Sequence, residues 1–400
     1  MDAIQSVISS RLAYCKFLAA NDTGLTGGHQ SGIYIAKDSW PLLFDTPGER
    51  GSNKNRRVSI RWQDGSETYS NFIYYGTGTR NEYRITCFGR NFPWLRPDRT
   101  GDLFVFAKLD DDHYSGFFLR TEKAIEQFLD AFGLSPAGTN HLIRKKAGPQ
   151  DSPIPAGGDG AAGGITELEA VQEYIAGLGT SDFPLSADLA AAARDIQNRV
   201  YDHIELVRTN PDKKLLQWLD IEYTIFRALE TACYGNTIAR GFTSVDSFVS
   251  TANMVLNRRK SRAGKSLEHH LAAIFRTNGL SYTAQALTEG HKRPDFLFPS
   301  QDAYMRKDYP ADRLVSLAAK TTCKDRWRQI LIEADRLRSR KKFLFTLQQG
   351  MSPAQMDEMQ KENVVLVVPR EYIGTYPPDR QNRILSLKQF ISYVADIEHK

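Results

Sequence analysis

SLAAKTTCKDRWRQILIEAD, residues 316–335, reads as a short apolar strand ending on Lys320, then a knot of Lys, Asp, Arg and Trp, then a segment with helical spacing that carries Glu333. Other apolar runs of strand length surround it: PDFLFP (294–299), RLVSLAAK (313–320), KKFLFTLQ (341–348) and NVVLVVPR (363–370), with a helix expected between the second and third. Short continuous apolar runs suit strands buried on both faces of a sheet. Helical spacing precedes them in 186–209, 214–235, 243–259 and 264–279; Thr243 and Asp246 suggest a capping box and Gly279 a stop. The pattern predicts an α/β domain, a central mixed sheet flanked by helices.

Upstream the pattern differs. GIYIA (32–36), RRVSIRW (56–62), SNFIYY (70–75), YRITCF (83–88) and DLFVFAKL (102–109) are short runs separated by Gly, Asn, Asp and Pro, the signature of a β-rich domain. TEKAIEQFLDAFG (121–133) reads as a helix that starts at Thr121 and Glu122 and stops at Gly133. Residues 1–18 read as one amphipathic helix without the basic start of a signal peptide. Between the two parts, KKAGPQDSPIPAGGDGAAGGITELE (145–169) is too rich in Gly, Pro and Ala to bury a core. The expected organisation is a β-rich domain over 1–145, a linker over 146–166 and an α/β domain over 167–400.

The balance of 52 basic and 47 acidic residues permits a polyanionic partner without requiring one. Cys15, Cys87, Cys233 and Cys323 have neither disulfide nor zinc-ligand spacing and read as reduced thiols. His269 and His270 are adjacent and do not make a metal pair on one helix face. No run reaches the ~20 apolar residues of a membrane helix. The expectation is a soluble, cytoplasmic protein.

The chemistry gathers around the opening stretch. Asp295 follows Pro294 at the start of one strand, Lys320 ends the next, and Arg326, Ile330 and Glu333 stand at i, i+4, i+7 on the expected helix. Two neighbouring carboxylates can hold Mg²⁺, and a lysine beside them can steady charge on a transferring phosphorus. That set suits phosphodiester hydrolysis. In a PD-(D/E)XK core the second acid stands two residues before the lysine; here that position is Ala318, so Glu333 is the candidate replacement. Asp325, Arg326 and Arg328 suit readout of G·C pairs, since Arg can bond guanine twice and a carboxylate accepts from cytosine. Arg258, Arg259 and Arg262 in NRRKSRAGK read either as a phosphate clamp or as a solvated helix end. Trp218 and Tyr223 read either as core aromatics or as a stacking pocket for an extruded base.

AAKTTCKDRWRQILIEAD, KRPDFLFPS and NRRKSRAGKSLE closely resemble the EcoRII-like type II restriction endonucleases, as do ANDTGLTGGHQSGIYI and TRNEYRIT in the first half. The resemblance covers most of the chain. It implies a restriction-endonuclease fold preceded by a DNA-binding pseudobarrel that binds a second copy of the site and relieves autoinhibition. It implies Asp295 and Glu333 as Mg²⁺ ligands, Lys320 and Lys324 as active-site lysines, Glu268 as an added acid, and Asp325, Arg326 and Arg328 as base readers. Trp218 and Tyr223 fall where the family builds its base-flipping pocket. His29, Tyr34, Arg80, Glu82 and Arg84 fall on its effector contacts. Gly78 and Tyr83 stand where lysines are expected, which lowers the salt dependence of effector binding. The implied activity is double-strand cleavage at a CCWGG-like site, leaving 5′-phosphates, by a homodimer partnered functionally with a cytosine methyltransferase. The alternatives are an inactive DNA-binding regulator and a nuclease with another CCNGG- or CCGG-type site.

Overall fold

The computed structural model describes residues 2–27, 32–143, 165–179, 183–201 and 203–398. The first part contains α1 (Ala3–Ser9), β1 (Leu12–Phe17), β2 (Ile33–Ile35), β3 (Lys54–Trp62), β4 (Glu67–Tyr75), β5 (Glu82–Thr86), β6 (Leu103–Lys108), β7 (His113–Leu119), α2 (Glu122–Phe132) and β8 (His141–Leu142). These strands form one eight-stranded sheet in the order β2-β5-β4-β3-β7-β6-β1-β8. All neighbours are antiparallel except β3 and β7. Tyr14, Phe72, Phe106 and Tyr114 fill the core on one face. Ala13, Cys15 and Phe17 face the other way, under α1 and α2. Gly116 is required where β7 crosses Trp62, because a Cβ there would lie 2.3 Å from the indole ring.

One expectation is overturned here. Residues 1–18 are not a single helix: α1 stops at Ser9 and Leu12–Phe17 is a strand. Alternate residues of β1 enter two different cores, so the segment is apolar on both sides and lacks the polar face that would mark a strand's period. The helix expected from Thr121 is present as α2, with the Thr121 hydroxyl accepting from the Ala124 N–H and Gly133 closing it at φ 60°.

The second part contains α3 (Glu167–Leu178), α4 (Ser186–Tyr201), α5 (Leu206–Thr209), α6 (Pro211–Arg240), α7 (Val245–Thr277), β9 (Thr283–Ala284), β10 (Phe296–Phe298), α8 (Gln301–Met305), β11 (Val315–Lys320), β12 (Lys342–Thr346), α9 (Pro353–Lys361), β13 (Val364–Val368), α10 (Arg370–Ile373), β14 (Leu385–Ser386) and α11 (Leu387–Glu398). Its sheet has the order β14-β13-β12-β11-β10-β9. β11 to β14 are parallel, while β9, β10 and β11 pair antiparallel. Strand alternation builds a core on each face. Leu317, Ala319, Phe343 and Phe345 pack with α6, α7 and α11, and Ala318, Leu344 and Leu366 pack with α9 and Trp327. This is the mixed, helix-flanked sheet expected.

Two helical details differ. The runs 243–259 and 264–279 are one helix, α7, and its capping box is Ser244 with Ser247, one residue on from Thr243 and Asp246. The segment after β11 is not an α-helix but the 3₁₀ stretch Arg326–Ile332, followed by a 3₁₀ turn at Asp335–Leu337. The expected linker lies outside the described residues except for Ile165 and Thr166, and Thr166 caps α3 through Glu169. Among the described residues no helix is long and apolar enough to cross a membrane.

Candidate active site and the loop beside it

Asp295 immediately precedes β10 and is buried. Its Oδ2 accepts the Ala319 N–H at 2.7 Å and pairs with Lys320 Nζ at 3.2 Å. Its Oδ1 accepts from Gln285 Nε2 at 3.0 Å, and the same nitrogen donates to Glu268 Oε2 at 2.9 Å. The register of β10 against β11 therefore sets the acid beside the strand that ends on the lysine. Glu268 reaches the site from α7. Burial raises its carboxyl, and the Asp295 charge raises it further.

Glu333 caps the 3₁₀ stretch, and its carbonyl accepts from the Thr288 hydroxyl. Burial pushes its carboxyl up to about 7; Lys320 pulls it down and Asp295 pushes it up. Both influences require Glu333 to sit close to the Asp295–Lys320 pair. Asp295, Lys320 and Glu333 thus lie near one another, and Glu268 is joined to Asp295 through Gln285. The shared face of Arg326 and Glu333 does not exist, because three residues per turn place 326 and 333 on different sides. Glu333 turns to Asp295, and Arg326 turns to the first domain.

Two nearby carboxylates fit Mg²⁺, which takes one or two and keeps waters as its other ligands. Among the described residues, no donor bonds to the Glu333 carboxyl, and no group of three or more His, Cys, Asp or Glu is clustered for a metal that demands an all-protein cage. A half-buried carboxyl beside a second carboxylate fits a divalent cation. The sign of its effect on stability follows. The folded state holds the Glu333 proton up to about 7 while the unfolded chain loses it near the ordinary value of 4.5, so stability falls as pH rises across that window. Glu333→Gln removes this loss. In metal-free buffer at pH 8 the variant is expected to be more stable than the parent by on the order of 2 kcal/mol, with the difference vanishing near pH 4, as read by thermal melts.

The knot after β11 is held by the first domain. Lys324 pairs with Asp102, both buried. Burial raises the Asp102 carboxyl and lowers the Lys324 ammonium, and each partner opposes that drift. Glu122, in the first turn of α2, accepts the N–H groups of Asp325 at 3.0 Å and Arg326 at 3.1 Å, and its Oε1 meets Arg326 Nε at 2.6 Å. Arg326 also pairs with Glu126, which accepts from the Thr322 hydroxyl. Nearby, Gly101 and Gly350 approach so closely that a Cβ on Gly101 would lie 2.3 Å from the Gly350 carbonyl oxygen. Asp102, Glu122 and Glu126 were not foreseen as site residues; Glu122 was visible only as a helix-start acid.

The remaining candidates are placed as follows. Arg328 is exposed, stacks over Trp327 and pairs with Glu358 at 2.5 Å. Arg258 lies over Phe183, Arg259 bonds Glu230 and the carbonyls of Asp130 and Ala131, and Arg262 is buried beside Glu222. They form no phosphate clamp in this conformation. Trp218 is 2% exposed in the core with Leu267 and Leu271, and Tyr223 lies against the Arg262 guanidinium. The core reading holds for Trp218 in this conformation. In the first domain Tyr34 faces Arg84 across β2 and β5, and Arg84 pairs with Glu82 at 3.1 Å. Arg80 is exposed over Tyr75. Tyr83 is buried, its hydroxyl accepting from the Gly48 N–H, and Gly78 is an exposed turn residue at φ 65°. His29 lies outside the described residues.

The chain matches two family models: "Restriction endonuclease EcoRII, N-terminal" over residues 7–129 and "EcoRII C terminal" over 226–391. It is 36% identical over 402 aligned residues to the type II restriction enzyme EcoRII of Escherichia coli, covering 96% of this chain and 94% of that one. Among solved structures, metal-depleted Ecl18kI with uncleaved DNA aligns with a TM-score of 0.46 and 19% identity, over 59% of this chain and 86% of that one. A complex of the restriction endonuclease PspGI with substrate DNA aligns at 0.44 and 14%, over 54% and 94%.

Proposed function

Since the chain belongs to the EcoRII family of type II restriction enzymes, we propose that it is a Mg²⁺-dependent, two-site endonuclease that cuts both strands of DNA at a CCWGG-like sequence and leaves 5′-phosphates. The observation that carries this reading is the convergence of Asp295, Lys320 and Glu333 from three separate segments. Asp295 and Glu333 would hold the cation, which supplies an activated water and a counter-charge for the phosphoryl group. The chain's own part is positioning. Ala319 N–H and Gln285 fix the Asp295 carboxylate, and Lys320 stands where an ammonium can steady developing negative charge. Glu268 adds an acid on the far side of Gln285.

Residues 167–400 would be the catalytic unit and 1–145 the effector unit, which uses Tyr34, Arg80, Glu82 and Arg84 on a second site. Asp325, Arg326 and Arg328 would read C·G pairs once released from their acidic partners. The grip of Asp102, Glu122 and Glu126 supports an autoinhibited ground state, relieved when effector DNA draws the first domain away. Two copies would act together, since a two-fold site calls for a two-fold reader. A cytosine methyltransferase acting on the same sequence would protect host DNA, and the enzyme would work in the cytoplasm.

The test is digestion of DNA of known sequence, with the ends mapped. With Mg²⁺ the expected result is cutting at one recurrent sequence with 5′-phosphate ends, and chelation is expected to stop cutting while leaving DNA binding in place. Specific binding without cleavage would instead support the regulator reading, and scattered ends would remove sequence specificity.

A further inference from the structure

Gln285 is exposed and stands where the chain leaves β9, yet its side chain ends between two acids of the candidate site. Its amide nitrogen carries two N–H donors and reaches Asp295 Oδ1 at 3.0 Å and Glu268 Oε2 at 2.9 Å. The backbone at Gln285 is left-handed, with φ 51°. A side chain there costs free energy that Gly would avoid, and such a residue persists where its surroundings require it. The loop itself does not require the carboxamide. The Gln285 N–H donates to the Asp295 carbonyl at 3.0 Å, Ala286 is buried, and the Leu287 N–H donates to Gln301 Oε1 at 2.6 Å. Main chain and neighbouring residues therefore hold this segment without the Gln285 side chain. Three residues on, the Thr288 hydroxyl donates to the Glu333 carbonyl. One short loop thus touches the segments of both proposed cation ligands.

The hydrogen bonds to Asp295 show what the carboxamide adds. A carboxylate offers about four acceptor positions. Oδ2 accepts from the Ala319 N–H at 2.7 Å and from Lys320 Nζ at 3.2 Å, which fills that oxygen. Oδ1 accepts from Gln285, which leaves it one open lone pair. We propose that Gln285 is a positioning residue of the metal site: its carboxamide fixes the direction of the lone pair that Asp295 has left for a cation and tethers Glu268 beside it. Gln285 acts through Asp295 and not on the cation or the phosphate. This role rests on the metal-dependent reading given above and adds to it the group that aims the first carboxylate. Hydrogen-bond partners that orient metal-binding side chains typically change metal affinity by ~10- to 100-fold.

The experiment measures Mn²⁺ binding to the full-length protein, read from the electron paramagnetic resonance signal of the free ion. Parent, Asp295→Asn, Gln285→Met and Gln285→Gly are compared. Gln285→Met keeps the length of the side chain and loses its donors. Gln285→Gly loses the side chain and suits the left-handed backbone, so the comparison does not depend on the Met variant folding. Both Gln285 variants are expected to bind Mn²⁺ ~10-fold more weakly than the parent, with melting curves in metal-free buffer little changed. In cleavage assays the Mg²⁺ concentration for half-maximal rate is expected to rise ~10-fold, while DNA binding and the rate at saturating Mg²⁺ stay near the parent's. A merely structural role would lower the melting temperature or DNA binding, and added Mg²⁺ would not restore the rate. Parental Mn²⁺ affinity in both Gln285 variants, with binding lost in Asp295→Asn, would overturn the role of Gln285 and leave the metal site standing. Equal binding by the parent and Asp295→Asn would remove the metal site itself, and the role of Gln285 with it.

Discussion

Lys320→Ala is expected to lower the single-turnover rate of DNA cleavage about 10³-fold while leaving specific DNA binding within a few-fold of the parent. Lys320 ends β11 with its ammonium 3.2 Å from Asp295 Oδ2, and its charge pulls the raised Glu333 carboxyl down. Removing the ammonium takes away the cation that pairs with Asp295. It opens no core cavity, because Lys320 is only partly buried at the strand end. The melting temperature should therefore change little, which separates lost chemistry from lost folding. Gel-shift and quench-flow measurements on the same DNA duplex provide the two readouts. Equal rates in parent and variant would remove Lys320 from the mechanism.

Glu122→Ala is expected to do the opposite and raise cutting of DNA that carries a single site by about 30-fold. Glu122 is buried, accepts the backbone N–H groups of Lys324, Asp325 and Arg326 and meets the Arg326 guanidinium. Hydrogen bonds to a charged group contribute roughly 1.5–3 kcal/mol each, and a net loss near 2 kcal/mol shifts a closed–open balance by about 30-fold. The gain should be largest with one site and smaller with two, because on the proposed mechanism effector DNA would already favour the open form. Glu122→Ala combined with Lys320→Ala should cut no better than Lys320→Ala alone. Unchanged single-site cutting by Glu122→Ala would mean that the first domain does not restrain the knot.

The strands that carry the site were legible because β10 to β13 are uninterrupted apolar runs, and Asp295 and Lys320 stand at their ends. Glu333 was visible as a candidate acid, since Ala318, two residues before Lys320, carries no carboxylate. The local form of the 326–333 segment was not. An isolated short stretch with apolar residues three and four apart fits both an α-helix and a 3₁₀ helix, and packing of Trp327 and Ile330 decides between them. β1 was hidden because it is buried on both faces. The grip on Lys324 and Arg326 was hidden for another reason. Their partners, Asp102, Glu122 and Glu126, lie about two hundred positions away in sequence, and no local pattern announces a contact at that range. The charge run alone looked like a free DNA-reading surface. In the structure Lys324 and Arg326 are paired with acids of the first domain, and Arg328 with Glu358 of its own. Trp218 and the 258–262 arginines share this lesson: residue type indicated an affinity for bases and phosphates, while their neighbours along α6 and α7 determine what they meet in this state.

The most direct test is anomalous scattering from Mn²⁺ in crystals of the protein with uncleaved CCWGG DNA. The account predicts a peak bonded by the carboxylates of Asp295 and Glu333 at about 2.0–2.2 Å, beside the scissile phosphate and within reach of Lys320. A cation bound elsewhere at that phosphate, with Asp295 still paired to Lys320 and Glu333 turned away from both, would contradict it.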